Sequence, residues 1–288
     1  MTRLPDENYV FAEDPTNRGR FSMLLTYLIK SMIKNQALWG WSVLFMAFWL
    51  FLGAYVFTQS VGTESDWAIY TSSWFAIIGL IAGSVIATPI SFSTYFASPS
   101  LAYGFRYTNL KPSSYLSSLM LSTAIMSVIV GSIISVLTIV LFSARSGFTI
   151  YPSAPWTVIG IFFLSGTFML LLSVTLVVFV NNYLGLKNVS FIAFVPQLLS
   201  YIFGLSQVGI PLPSFLVYAT PFSDIARLLY LGWHGSPSPM NFVSDSGGFA
   251  NSYGLLAFLI LWIGILFLTS IALLKRIRST FMEEARQV

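Results

Sequence analysis

The chain has no cysteine, a single histidine, and charge on only 8% of its 288 residues. Without cysteine there is no disulfide framework, no thiolate nucleophile and no cysteine-ligated metal. One histidine excludes the two-histidine zinc motifs. No G-x-x-x-x-G-K-[ST] string occurs, so ATP is not held here by a phosphate loop of that kind. A soluble domain carries roughly 25% charged residues. The deficit is matched by 56% hydrophobic residues and a mean hydropathy of +0.79. This is the composition of a membrane protein.

The charge that remains is unevenly placed. Twelve of the fourteen Lys and Arg residues fall in four patches, at Arg3–Lys34, Arg106–Lys111, Lys187 and Lys275–Arg286. Cytoplasmic loops accumulate Lys and Arg, and each interval between patches is long enough for two crossings of about 20 residues. The pattern predicts an all-α polytopic protein with six transmembrane helices near 37–59, 68–96, 115–143, 156–180, 189–207 and 254–274, both termini cytoplasmic. The net charge of +4 then belongs to the face that meets anionic membrane lipid, and no nucleic-acid partner is needed to explain it. Residues 1–17 are polar, with Pro5 and Pro15, and are expected to form a loose tail instead of a signal peptide.

Residues 18–36 have Phe21, Leu24, Leu25, Leu28, Ile29, Met32 and Ile33 at helical spacing, with Arg20, Lys30 and Lys34 interspersed. This is the pattern of an amphipathic helix at the membrane interface. Gly79 and Gly83, in G-x-x-x-G spacing, predict close helix approach, and Pro89 predicts a kink. The third span is rich in hydroxyls, including Ser118 and Ser122, and Gln197 is a polar group at membrane depth in the fifth. Gln197 and Ser122 are the candidate substrate path. Residues 208–233 are too broken to cross and too apolar for a free loop, which suggests a re-entrant outer segment; Asp224 and Arg227 stand three apart there, a spacing at which they could pair with each other. A Gly/Ser/Pro-rich outer loop follows at 234–253, and residues 275–288 form a cytoplasmic tail. No catalytic and no metal-binding residue is assigned. The span centres hold no ionisable residue, so ion-driven transport lacks its usual groups. His234 with Ser206 suggests an intramembrane hydrolase only weakly, because that histidine lies in an irregular loop.

Two stretches carry a family likeness. Ala102–Ser113 has a Gly before a hydrophobic run and a Pro-Ser start to the third span; Tyr218–Arg227 has an aromatic turn around Pro leading into a helix with Arg. With the interfacial helix before span one, this layout resembles the membrane subunits of type-2 ATP-binding-cassette (ABC) exporters. The resemblance implies a permease subunit that is not itself an enzyme, in the plasma membrane, facing a second copy or paralogue. A separate ATPase subunit would carry ATP and Mg. It further implies coupling to that ATPase through the loop at 97–114, at Tyr103, Gly104, Phe105, Arg106 and Tyr107, and an outer gate at Tyr218, Pro221, Phe222, Asp224 and Arg227. The implied cargo is amphipathic or apolar, of the drug, lipid, glycan or peptide class. The family's coupling loop carries acidic residues before its Gly; here there are none, and Asp6, Glu7, Glu13 and Asp14 in the tail are the nearest substitute. A passive scaffold or channel is the alternative reading.

Overall fold

The computed structural model describes residues 17–58, 61–107, 110–184, 190–210, 212–240, 242 and 248–277. The polar tail at 1–16, the loop carrying Lys187, the serine-rich stretch at 243–247 and the C-terminal tail beyond Ile277 lie outside the described residues.

The chain is helical. In order come α1 (Asn17–Lys34), a first long helix at Gln36–Tyr55 made of α2 (Gln36–Trp39), a π-helical turn and α3 (Phe45–Tyr55), then α4 (Glu64–Phe96), α5 (Ser98–Tyr107) and α6 (Pro112–Ser146). They are followed by α7 (Pro155–Phe179) running into a second π-helical turn (Val180–Leu184), α8 (Ser190–Gly209), α9 (Ser214–Ala219), α10 (Pro221–His234) and α11 (Ser252–Leu274). Among the described residues five helices are long and apolar enough to cross a membrane: Gln36–Tyr55, Glu64–Phe96, Pro112–Ser146, Pro155–Leu184 and Ser252–Leu274. In α8 the apolar stretch, Phe191–Gln207, is shorter.

The helix ends are set by local chemistry. Thr63 and Asp66 form a reciprocal capping box that starts α4 before its apolar run begins. Gly147, at φ 76°, ends α6 in the left-handed conformation that glycine adopts at little cost. These signals extend the second and third spans beyond the apolar centres read from hydropathy.

Helix α4 is the axis of the bundle, packed against α3, α6, α7, α8 and α10. Small residues permit this. A side chain at Gly79 would meet Leu229 of α10 at 2.9 Å, and one at Gly83 would meet Ser165 of α7 at 2.7 Å. Gly131 of α6 lies against the Phe162 ring with no room for a Cβ. In a membrane, where helices gain little from excluding lipid, such close approach is what makes helix contact favourable. The hydroxyls of α6 are mostly turned back on their own helix: Ser118 donates to Ser114 O at 2.9 Å, Ser122 to Leu119 O at 2.9 Å, and Thr138 to Ile134 O at 2.8 Å. A cross-helix pair occurs instead between α7 and α11, where Thr175 and Ser270 hydroxyls lie 2.7 Å apart.

The alternating helices put Lys30, Lys34, Arg106, Lys111, Lys275 and Arg276 at one end of the bundle, and Glu64 and Asp66 at the other. Arg145 and Arg227 are the described basic residues toward the acidic end. Helix α1 packs along α6 with Met23, Tyr27, Lys30 and Lys34 exposed.

Candidate functional site

At the acidic end, α9 and α10 are drawn into the bundle. Twelve of the fourteen residues of α10 are buried, among α4, α7, α8 and α11. Pro221 opens α10, where a missing N–H costs nothing. Phe222 stacks on Phe203 of α8 with ring centroids 5.6 Å apart and meets Phe168 edge-on at 5.5 Å. Helix α9 is tied to α11: the Tyr218 hydroxyl accepts from Asn251 N at 3.0 Å, and the Trp262 indole donates to Ala219 O at 3.2 Å.

Arg227 is 1% exposed. Its Nη1 donates to Gln207 Oε1 on α8 and to Ser223 Oγ, and its Nη2 donates to Met240 O at 2.7 Å. The guanidinium also lies over the Phe242 ring, 5.2 Å from its centroid. Met240 is held by a short β-bridge, in which its N donates to Gly248 O at 2.9 Å. One arginine thus joins α8, α10 and the loop that follows α10.

The pairing of Asp224 with Arg227 that their spacing allows is not made. Both carboxylate oxygens of Asp224 are buried without a hydrogen-bond partner, and the guanidinium is directed at Gln207 and Met240 instead. The physical reason is geometric: the two terminal nitrogens of Arg227 are directed at Gln207, Ser223 and the Met240 carbonyl, and its Nε, like the Asp224 oxygens, has no hydrogen-bond partner. Burial pushes the Asp224 carboxyl up to about 8, against the pull of the nearby Arg227 charge. Burial also lowers Arg227 to about 10, which leaves it protonated at neutral pH.

Beside this network lies a cavity of about 610 Å³ between the first hairpin and α8. Its walls include Trp49, Phe57, Tyr70 and Trp74, with Leu205 of α8 and Phe242 from the loop after α10. Tyr70 donates to Gly53 O at 2.8 Å and Trp74 to Trp49 O at 3.2 Å. The two rings stack at 6.1 Å, and the Trp74 indole lies so close over Gly53 that any side chain there would collide. Asp66 supplies a charge at the rim. Phe242 belongs to both regions: it lines the cavity and carries the Arg227 guanidinium.

Gln197 is half-buried on α8 beside the Tyr201 hydroxyl. Ser122 is fully buried in α6. Neither is among the residues lining the 610 Å³ cavity. The aromatic residues that do line it carry a sequence signal in Tyr70 and Trp74, four apart and so on one face of α4.

At the basic end, α5 presents two faces. Tyr103 and Tyr107, 64% and 72% exposed, face outward with rings 5.0 Å apart, and Arg106 is exposed beside them. Gly104 is buried, and Phe105 turns inward against Tyr115 of α6 at 5.9 Å. Of the five residues read as a coupling surface, three are therefore on the surface and two secure the helix beneath it.

His234 contributes to the turn after α10: its Nδ1 lies 2.6 Å from Ser236 Oγ and its ring stacks on Tyr230 at 5.2 Å. Among the described residues no group of three or more His, Cys, Asp or Glu is placed to hold a metal. The chain matches no protein-family model and no curated protein.

Proposed function

We propose that this chain is the permease subunit of an ATP-driven exporter resembling the type-2 ABC class, residing in the plasma membrane with its termini in the cytoplasm. On this reading α8 is the fifth of six crossings. Its 20 residues, at about 1.5 Å each, give about 30 Å, the thickness of a hydrocarbon core. Helices α9 and α10 form the re-entrant outer segment.

The observation that carries the reading is the surface of α5. A short helix at the basic end leaves two tyrosines and an arginine outside the protein while its other face is anchored. Aromatic residues and arginine are the usual sources of interface energy, and a soluble ATPase is the partner that such a subunit requires. Helix α5 follows α4 after one residue, so a push on it passes into the helix whose far end bears Tyr70 and Trp74. Motion of α4 would reshape the aromatic cavity, and the Arg227–Phe242 contact would gate its outer side. Aromatic walls with one carboxylate at the rim suit an amphipathic or apolar cargo. ATP and Mg belong to the partner.

A photo-crosslinking residue in place of Tyr107 tests this directly. Capture of a protein with a phosphate loop is the expected result, and cargo-stimulated hydrolysis should fall when Arg106 and Tyr103 are also replaced. A passive scaffold or channel would give no such crosslink. On this cysteine-free chain, impermeant thiol labelling of Arg106→Cys is expected only after the cells are opened.

A further inference from the structure

A second cavity, of about 460 Å³, lies at the basic end of α11. Its walls are of two kinds. Leu268, Ile271 and Ala272 form an apolar side along the helix, while Lys275, Arg276 and Tyr183 close the end toward water. The volume is in the range of roughly 300–1,000 Å³ typical of small-molecule sites.

The cavity is braced. Past Phe179 the helix winds into a π-helical turn at Val180–Leu184, a distortion that proteins place at functional sites. It buries Asn182, whose amide donates to Leu273 O at 3.1 Å across the helix pair, and leaves the next residue, Tyr183, 54% exposed on the cavity. The Thr175–Ser270 hydroxyl pair fixes the same two helices two turns deeper. Lys275 and Arg276 are exposed, and among the described residues neither has an ion-pair or side-chain hydrogen-bond partner. Two exposed cations and a phenol at the mouth of an apolar trough match one class of molecule: a phosphate headgroup with an acyl chain behind it.

We propose that this cavity binds one anionic phospholipid, its phosphate held by Lys275, Arg276 and the Tyr183 hydroxyl and its chain lying along Leu268 and Ile271. The proposal depends on the orientation given under Proposed function only in naming the cytoplasmic leaflet, where anionic lipids concentrate. It needs no ATPase, so its failure and the failure of the exporter reading are separate. The plain alternative is that Lys275 and Arg276 are interfacial anchors that also complement the carboxyl end of the α11 dipole, with no particular lipid retained.

The test is native mass spectrometry of the full-length protein in mild detergent, titrated with phosphatidylglycerol, phosphatidylcholine or inorganic phosphate. Wild type should retain one phosphatidylglycerol in preference to phosphatidylcholine. K275A/R276A should weaken that binding about thirtyfold, at about 1 kcal/mol per basic residue. A272W fills the trough with both charges in place and should weaken it as well. Full retention in either variant would overturn the site, because the first outcome leaves no role for the cations and the second reduces them to anchors. Displacement of the lipid by inorganic phosphate at equal concentration would also overturn it, by showing a soluble anion site.

Discussion

Arg106 and Arg227 stand on short helices at opposite ends of one bundle, and their surroundings differ in every respect. Arg106 is exposed on α5 beside two exposed tyrosines. Arg227 is enclosed, with its donors given to Gln207, Ser223 and Met240 O and its face on Phe242. A guanidinium buried in this way fixes the elements that surround it, because breaking any contact leaves a polar group unmet. The Arg106 guanidinium lies on the surface with aromatic neighbours and ties no such set of elements together among the described residues. The two ends therefore differ in kind: α10 ties together the half of the bundle that carries Glu64 and Asp66, and α5 leaves two tyrosines and an arginine exposed.

Replacing Arg227 with Ala should have the largest effect on stability. It removes a side chain that joins α8, α10 and the Met240 carbonyl and strands their polar groups, at about 3–5 kcal/mol. Thermal unfolding in detergent checks this, and Arg227→Lys should recover only part, having no planar fork to reach two partners. Phe105→Ala comes next. Its ring packs against Tyr115, so the loss is expected in stability, at about 1–3 kcal/mol for a half-buried aromatic. A stable Phe105→Ala protein that no longer binds an ATPase would blur the division of α5 into two faces.

Asp224→Asn should act through pH. The Asp224 carboxyl is raised from 3.8 to about 8 in the fold by burial, so the fold holds the proton more tightly than the unfolded chain does. That contribution is complete below about pH 4 and is lost as pH rises toward 8. Wild type should therefore lose melting temperature between pH 5 and pH 8, and Asp224→Asn should lose less. Equal slopes would mean that Asp224 finds a partner the static arrangement does not give it. The smallest effect on stability, within about 0.5 kcal/mol, is expected for the combined Tyr103→Ala, Arg106→Ala and Tyr107→Ala change.

Much of the fold was legible because lipid imposes a simple rule on sequence. Apolar runs and the gathering of Lys and Arg located the long helices, and Gly79 and Gly83 marked close approach. The ends of α4 and α6 were less legible, since Thr63, Asp66 and Gly147 act through caps and not through hydropathy. For Arg227 the sequence offered Asp224 as a possible partner, because it shows neighbours at helical spacing; the amide it bonds, Gln207, is twenty residues away. The inward turn of Phe105 was available in principle. Leu101, Ala102 and Phe105 share one helical face and Tyr103 and Tyr107 the other, but the phase is visible only once a helix over 98–107 is accepted. The aromatic cavity was not legible, since it needs the first hairpin and α8 to be brought side by side.

The most direct test of the central claim compares the wild-type chain with the Tyr103→Ala, Arg106→Ala, Tyr107→Ala variant, each purified from its own membranes under mild detergent. An ATPase subunit bearing a phosphate loop should co-purify with the wild type in equal amount and be lost from the variant, with melting temperature unchanged. Equal recovery of that subunit with both chains, or its absence from the wild type, would contradict the assignment of α5 as the coupling surface.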